Sequence, residues 1–181
     1  MLCAWIGRLL TRRSGALEKL SASEVYIGLG ANLGDAAGTV RAAAQALAGL
    51  PQSQLLALSS LYASAPVDAQ GPEFINAVAR VRTLLSPLEL LAALQRLEAE
   101  AGRQRPYRNA PRTLDLDILL YGHQVCHSPQ LTLPHPRLHQ RRFVLWPLSE
   151  LAPQLLLPGL GPLQDWLPQV ADQAVRRLAP A

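Results

Sequence analysis

The sequence has few cysteines, few aromatic residues and almost no lysine. Cys3 and Cys126 are its two cysteines, and neither lies in a metal-ligand spacing, which excludes a disulfide framework and a cysteine-based zinc site. No apolar run approaches the roughly eighteen residues that a membrane-spanning helix needs. We therefore expect a protein of a reducing compartment, the cytoplasm, that has no membrane partner.

Positive charge is carried almost entirely by arginine, because Lys19 is the only lysine among 17 basic residues. The net charge of +4 suits an anionic partner such as a nucleotide or a nucleic acid, but it is too small to distinguish them. An apolar fraction of 49% over 181 residues predicts one globular domain with a real core. We expect a poorly ordered extension over residues 1–24 and a single domain over residues 25–181.

Local patterns predict the order β, α, β, β, α, β. The predicted elements are a strand from residue 25, a helix over 36–50, strands over 54–63 and 74–84, a helix over 87–101 and a strand over 114–120. The first strand is expected to end in the turn residues Gly30, Asn32 and Gly34. This order predicts an α+β fold of the ferredoxin-like type, with an antiparallel sheet and helices packed on it.

A smaller C-terminal extension is expected after this core. Gly122 and His123 predict a hairpin turn, and the pattern then predicts a short helix within residues 141–151 and a last helix over 163–178.

The strand over residues 114–120 carries charge that folding does not need. Its even positions are apolar, at Leu114, Leu116, Ile118 and Leu120. Asp115 and Asp117 share the other face, with Cα atoms roughly 6 to 7 Å apart, so both carboxylates can reach one group of ions or phosphates. Taken alone, the same pattern also fits a half-solvated strand with an acidic outer face.

An arginine-rich loop precedes this strand. The loop spans residues 102–112 and contains Arg103, Arg105, Arg108 and Arg112. Guanidinium groups suit phosphate oxygens, whereas paired carboxylates repel phosphate unless a cation lies between them. Together they predict a metal–nucleotide site in which Mg²⁺ bridges the aspartates and the phosphates, although a solvated basic loop is the alternative for the arginines alone.

A second cluster of polar residues lies in the segment LPHPRLHQRRF. His135 and His139 are four residues apart, but Pro134 and Pro136 disfavour the helix that a zinc-binding pair needs. A nucleotide-facing role for His135 and Arg141 fits the first cluster better. The chain has neither a GxxxxGK[ST] phosphate loop nor a GxGxxG motif, so any bound ATP must be held by arginines and metal.

Ordered segments along the chain carry a resemblance to a known family: GLGANLGD, SSLYASAPV followed by FINAV, PRTLDLDILLYG, LPHPRLHQRRFVLWPL and the Ala152-Pro153 that follows. They resemble the 6-hydroxymethyl-7,8-dihydropterin pyrophosphokinases of folate biosynthesis, colinearly from about Val25 to about Pro158. The resemblance implies transfer of the terminal two phosphates of ATP to the pterin hydroxymethyl oxygen, with release of AMP. It also implies two Mg²⁺ ions and ATP as co-substrate, and we expect a monomer that binds no nucleic acid.

The resemblance implies individual roles at matching positions. Asp115 and Asp117 match the magnesium ligands, and Arg103 and Arg112 match arginines that bind the phosphates and assist transfer. The nucleotide site maps onto Gln95, Glu98, Arg105, Arg112, Ile118, Thr132, His135 and Arg141. The pterin pocket maps onto Ser64, Ala65, Val67, Phe74, Asn76 and Phe143. Asn76 is expected to satisfy the donor and acceptor edge of the pterin, and Phe143 to stack on its ring.

The chain departs from the family's usual pattern at several positions. The loop reads Arg108-Asn109-Ala110 where Arg-Trp-Gly is common, so the stacking role of that tryptophan does not transfer. Ser64 and Ala65 stand where Thr-Pro is common. We expect weaker stacking near the adenine or the pterin rather than a loss of activity.

Two other functions remain open at this point. An RNA-binding module with the same βαββαβ order would need exposed aromatic residues on its central strands, which LDLDILLY and FINAVARV almost lack. A different metal-dependent phosphoryl or nucleotidyl transferase is the third candidate function.

Overall fold

Residues 21–66, 71–102 and 113–179 are described by the computed structural model. The core elements are β1 (Ser23–Ala31), α1 (Ala36–Ala48), β2 (Ser53–Leu58), β3 (Tyr62–Ser64), β4 (Phe74–Thr83), α2 (Pro87–Glu100) and β5 (Asp115–Tyr121). The predicted order is confirmed with one change, because the strand expected over residues 54–63 is two strands, β2 and β3, which both pair with β4. Of the extension expected over residues 1–24, the first twenty residues lie outside the described ranges.

All pairings of the main sheet are antiparallel, and its strand order is β10 (Val175–Arg177), β3, β4, β1, β5, with β2 also on β4. The strand after α2 therefore lies at one edge beside β1, as the ferredoxin-like prediction requires. The α+β class with helices on an antiparallel sheet is thus confirmed.

The two core helices begin at capping residues that the sequence provides. Asp35 accepts a hydrogen bond from the Gly38 amide at the start of α1. Ser86 and Glu89 form a reciprocal capping box at the start of α2, and such a cap typically contributes about 1 kcal/mol. The inward faces of both helices are apolar and cover one face of the sheet. Their buried residues include Val40, Ala43, Ala44, Leu47, Leu90, Ala93 and Leu94.

The opposite face of the sheet is partly covered by α3 (Arg142–Leu151). Val144, Leu145 and Leu148 of α3 pack against Tyr26 and Val78 in a second apolar core. The sheet is therefore apolar on both faces between the Glu24–Arg80 ion pair, at one end of the face that carries α3, and the end where β5 begins. None of the helices in the described ranges has the length and apolar composition needed to span a bilayer.

The C-terminal extension differs from the prediction. Its strands are β6 (Cys126–His127), β7 (Thr132–Leu133), β8 (Leu156–Leu157), β9 (Gly161–Pro162) and β10. The short helix is confirmed. Residues 122–123 form the predicted turn, but this turn does not make a hairpin with β5, because β6 pairs with β7. The prediction of a last helix over residues 163–178 is wrong. This segment forms two 3₁₀ turns followed by the strand β10, which pairs with β3. Pro168 disfavours a continuous helix because it lacks an N–H, and the edge of β3 offers hydrogen bonds to an extended segment instead.

Two local details of the sheet also differ from expectation. Gly30 was expected in a turn, but β1 continues through Ala31, so Gly30 is a strand residue. Leu120 was expected to share the face of Leu116 and Ile118. A β-bulge shifts the pairing of β5 with β1 before Leu120, which places this side chain in the second core instead.

Candidate active site

Asp115 and Asp117 lie at the start of β5, on the face of the sheet that carries α3. Leu116 and Ile118 alternate with them and are buried in the first core, so the period-two prediction holds for both carboxylates. Asp115 is half-buried, and the side chain of Asp117 is 43% exposed. The two carboxylates therefore face the same accessible end of the sheet.

A row of paired residues connects these aspartates with Asn76. Gly30 of β1 is the register partner of both Asp115 of β5 and Asn76 of β4. Residues directly opposite in an antiparallel pair point to the same face, so Asp115 and Asn76 stand on either side of a strand that presents no side chain. With strands about 4.8 Å apart, the two Cα atoms are separated by roughly 10 Å. Gly28 has the same relation to Asp117.

The space above Gly30 is open. A Cβ on Gly28 would meet the Leu119 side chain at 3.3 Å, whereas a Cβ on Gly30 would have only the side-chain oxygen of Asn76 nearby, at 3.4 Å. Neither glycine has a positive φ that would require glycine. Gly30 is therefore explained neither by backbone conformation nor by packing, and a glycine inside a strand is typical of a place where a ligand approaches the backbone.

Asn76 is held in one orientation by β3. It is 5% exposed, and its Nδ2 donates to Ser64 Oγ at 3.0 Å and lies 3.5 Å from the carbonyl oxygen of Tyr62. Because the amide nitrogen is directed to the protein, the Oδ1 atom faces the space above Gly30. The row therefore ends in a fixed hydrogen-bond acceptor, as recognition of a ligand N–H requires.

His135 lies beside the aspartates. Its backbone N–H donates to the carbonyl of Leu119 at 2.9 Å, and its Nδ1 accepts from the Arg137 amide at 3.2 Å. Nε2 is 4.0 Å from Asp117 Oδ2. Burial, followed by the positive charge of Arg141, lowers the pKa of His135 to about 4 although the charge of Asp115 opposes the shift. The imidazole is thus neutral at pH 7, with its proton on Nε2, and its contact with Asp117 is not a salt bridge.

Arg141 and Phe143 flank the first residue of α3. The guanidinium carbon of Arg141 is 5.6 Å from the centroid of the Phe143 ring. Phe143 is half-buried against the second core, which leaves part of the ring accessible. The start of α3 therefore combines a cation with an aromatic surface.

Glu98 approaches β5 from α2. It is 4% exposed, and its Oε1 accepts from the Leu116 amide at 2.8 Å. Leu116 lies between the two aspartates on the edge strand, so the hydrogen bond occupies an outward-facing amide of β5. Gln95, one turn earlier on α2, is exposed.

The other predicted site residues are distributed unevenly. Ser64 is buried at the end of β3 and pairs in register with Phe74, which is half-buried at the start of β4, while Ala65 is exposed. Thr132 is half-buried in β7. The Ile118 side chain is buried in the first core, away from the aspartate face. Val67, Arg103, Arg105 and Arg112 lie outside the described residues, as does the 103–112 loop. The prediction that Arg112 belongs to the loop requires β5 to begin after it, and β5 begins at Asp115.

The donor set at Asp115 and Asp117 fits Mg²⁺ brought by a nucleotide. In residues 21–66, 71–102 and 113–179, no group of three or more His, Cys, Asp or Glu side chains forms a metal cage. Mg²⁺ commonly uses one or two carboxylates together with substrate phosphates and water, rather than a complete set of protein ligands. Two accessible carboxylates on one strand satisfy that requirement.

Sequence reasoning missed Gly30 as part of the site. The sequence does contain a local signal for it. Gly28 and Gly30 are two residues apart in one predicted strand, so they lie on the same face and leave that face without side chains. Their position between the aspartates and Asn76 depends on strand pairing, which the local pattern does not contain.

Comparison with known proteins gives a consistent result. The sequence matches the family described as 7,8-dihydro-6-hydroxymethylpterin-pyrophosphokinase (HPPK) over residues 26–153. It is 46% identical over 155 residues to the 2-amino-4-hydroxy-6-hydroxymethyldihydropteridine pyrophosphokinase of Pseudomonas aeruginosa, covering 85% of this chain and 96% of the relative. The protein of that name from Haemophilus influenzae is 44% identical over 156 residues, which cover 86% of this chain and 98% of the relative.

Solved structures agree at the level of the fold. A crystal structure of Plasmodium falciparum HPPK-DHPS has a TM-score of 0.67 and 14% sequence identity, and covers 82% of this chain. This chain spans 43% of that longer protein.

Proposed function

The chain belongs to the 7,8-dihydro-6-hydroxymethylpterin-pyrophosphokinase family, and we propose that it transfers pyrophosphate from ATP to 6-hydroxymethyl-7,8-dihydropterin across the row from Asp115 to Asn76. In this reaction the hydroxymethyl oxygen bonds to the β-phosphorus of ATP, the bond between that phosphorus and the oxygen bridging to the α-phosphate breaks, and AMP leaves. The hydroxyl proton is released. The product is the pterin diphosphate used in folate biosynthesis.

This assignment rests on β1, which presents no side chain at Gly28 and Gly30 and lies between two different kinds of polar group. Asp115 and Asp117 stand on one side of β1, and the fixed Oδ1 of Asn76 stands on the other. The roughly 10 Å between the outer strands suits a pterin ring at Asn76 whose hydroxymethyl group points toward phosphates at the aspartates. A positioned pair of substrates of this kind needs no covalent intermediate.

Asp115 and Asp117 would hold Mg²⁺, and we propose two ions. When bound, Mg²⁺ supplies positive charge to the phosphoryl oxygens on which negative charge develops during transfer. The aspartates orient the phosphates relative to the sheet.

We assign the nucleotide side to His135 and Arg141, with Gln95, Glu98, Thr132 and the backbone of Ile118 as further predicted contacts. A neutral His135 donates its Nε2–H to an oxygen acceptor, and Arg141 supplies a charged donor at the same end of the sheet. Arg103, Arg105 and Arg112 remain predicted phosphate ligands.

We assign the pterin side to Asn76, Ser64, Phe74 and Phe143, with Ala65 and Val67 as predicted contacts. Asn76 Oδ1 accepts from a pterin N–H, and Ser64 keeps the amide turned in that direction. Phe143 offers a ring face for stacking. The compartment and the monomeric state expected from the sequence stay predictions.

The RNA-binding alternative is disfavoured by the same face of the sheet. An RNA-binding sheet presents aromatic side chains to the bases. Here that face carries two aspartates and is partly covered by α3.

The test is to incubate the purified protein with MgATP and 6-hydroxymethyl-7,8-dihydropterin and to separate the nucleotides. We expect AMP in a one-to-one ratio with the pterin diphosphate, and no AMP when the pterin is omitted. ADP as the product, or AMP that forms equally without pterin, would contradict the assignment.

A further inference from the structure

The side-chain amide of Gln173 holds both peptide groups that flank Arg141. Its Nε2 donates to the carbonyl oxygen of Gln140 at 2.9 Å, and its Oε1 accepts from the backbone N–H of Arg142 at 2.9 Å. One rigid amide therefore bonds to the peptide before Arg141 and the peptide after it. This fixes the extended backbone of Arg141, with φ −126° and ψ 109°, from both sides.

The side chain of Arg142 in turn bonds to the C-terminal segment. Its Nη1 donates to the carbonyl oxygens of Ala171 and Gln173, the second at 2.8 Å. Its guanidinium carbon is 3.8 Å from the centroid of the Trp146 ring, on the next turn of α3. The segment 171–173 and the start of α3 thus hold each other through side chains from both partners.

The start of α3 depends on this segment for its hydrogen bonds. The side chain of the N-cap residue Arg141 makes no hydrogen bond to the first turn. Since the first N–H groups of a helix have no partner within the helix, the Gln173 oxygen satisfies one that would otherwise need water. Arg141, Phe143 and the helix axis are consequently oriented by a residue of the C-terminal segment.

Arg141 connects the contacts of Gln173 with the proposed nucleotide site. Its charge acts on His135, which lies 4.0 Å from Asp117. Its guanidinium lies over the Phe143 ring. A change in the backbone of Arg141 therefore displaces a cation at the nucleotide side of the site.

We propose that Gln173 is a positioning residue for ATP, which acts by fixing the backbone of Arg141. The proposal rests on the proposed function, because it takes Arg141 as a nucleotide contact. Gln173 lies beyond residues 26–153, over which the chain matches its family. The segment 171–173, which lies where a last helix was expected, is in this view part of the nucleotide site.

The first experiment compares Gln173→Ala with the wild-type enzyme. The measurements are KM for ATP, KM for the pterin, kcat, the melting temperature, and the affinity for α,β-methylene ATP with Mg²⁺. In the variant, ATP binding must itself order the Arg141 backbone, and a cost the size of two ordinary hydrogen bonds corresponds to roughly tenfold in affinity. We expect KM for ATP and the dissociation constant of the analogue to rise by about that factor, and by more than KM for the pterin.

Gln164→Ala is the matched control. Gln164 is another C-terminal glutamine. It is exposed, and its Nε2 donates to one backbone carbonyl, that of Pro153, at 2.8 Å. The same chemical change there should leave both KM values within about twofold of wild type.

A double-variant cycle separates positioning from a general effect on folding. If Gln173 acts through Arg141, Gln173→Ala should have little further effect on KM for ATP in an Arg141→Ala background. Equal effects of Gln173→Ala in both backgrounds would overturn the proposal.

Gln173→Glu keeps the test informative if the alanine variant folds poorly. The glutamate retains an acceptor for the Arg142 N–H and loses the donor to Gln140, so an intermediate rise in KM for ATP is expected. If both variants bind the analogue as wild type does, the proposal is wrong. A wild-type enzyme that forms no AMP would instead contradict the proposed function.

Discussion

Gly30 and Asn76 are register partners, and the Asn76 side-chain oxygen lies 3.4 Å from the point where a Cβ on Gly30 would stand. The same glycine pairs with Asp115 on its other side. The missing side chain thus leaves a gap between the proposed pterin and metal–phosphate positions, through which the hydroxymethyl group must reach the β-phosphorus.

Gly30→Ala should therefore impair the pterin site more than the fold. A contact of 3.4 Å is ordinary van der Waals distance, and the φ of Gly30 is compatible with alanine, so the free energy of unfolding should change by less than about 1 kcal/mol. The added methyl group occupies the gap, and we expect KM for the pterin to rise by about tenfold to a hundredfold. Steady-state kinetics and urea unfolding measure both effects.

Gly49→Ala is a suitable control for this substitution. Gly49 follows α1, has a φ of −88°, and would place its Cβ 3.5 Å from the Ala46 carbonyl oxygen. It belongs to no part of the site. Similar pterin KM values in the two alanine variants would show that the gap above Gly30 has no role in binding.

Asp117→Asn should nearly abolish turnover without unfolding the protein. The side chain is 43% exposed, so the loss of its charge has a small effect on packing. An amide is a poorer Mg²⁺ ligand than a carboxylate, and we expect kcat to fall by about a hundredfold or more at saturating ATP. A titration of AMP formation with Mg²⁺ should also show a higher half-saturating concentration.

Asp165→Asn serves as the control, because Asp165 is exposed and lies outside both the proposed metal site and the segment 171–173. It should retain wild-type kinetics. Full activity in the Asp117 variant would contradict the proposed metal site.

The sequence predicts those parts of the site that depend on one strand. Strict alternation from Leu114 to Ile118 determines that Asp115 and Asp117 share a face, because a strand has a period of two. The capping residue and proline at Ser86 and Pro87 likewise determine where α2 begins.

Features that depend on pairing between distant segments were not predictable in this way. The segment around Val175 forms a strand because the edge of β3 accepts it, although its local pattern suggested a helix. The β-bulge that redirects Leu120 arises from the pairing of β5 with β1. The row through Gly30 needs two such pairings at once.

Glu98→Ala should destabilise β5 more than Glu98→Gln does. The alanine leaves the Leu116 amide without its acceptor at an almost fully buried position, which typically costs about 1 to 3 kcal/mol. Glutamine retains an acceptor oxygen of the same reach. Because Leu116 lies between the two aspartates, the alanine variant should also require more Mg²⁺ for half-maximal AMP formation.

Glu100→Ala, two residues further along α2, is the control for the loss of a carboxylate, since Glu100 is exposed. Its free energy of unfolding should remain within about 0.5 kcal/mol of wild type. If Glu98→Ala is equally stable, the Leu116 hydrogen bond is not important for β5.

His135 should make the stability of the metal-free protein depend on pH. Its pKa in the folded state is lowered to about 4, mainly by burial and then by the charge of Arg141, from an ordinary value of 6.5. Between these values the unfolded chain binds a proton that the folded chain does not, so the free energy of unfolding falls as the pH falls. The full difference corresponds to about 3 kcal/mol, lost from pH 6.5 down to pH 4.

Urea unfolding of the wild type and of His135→Gln, in the presence of a chelator and at intervals from pH 8 to pH 4, measures this contribution. Other groups titrate in both proteins, so the difference between the two curves isolates His135. The difference should be constant between pH 7 and pH 8, where the imidazole is neutral in both states. Below pH 6.5 the wild type should lose stability faster than the variant. Parallel curves down to pH 4 would show that the folded protein accepts a proton on His135 as readily as the unfolded chain does, and the lowered pKa of His135 would then have no support.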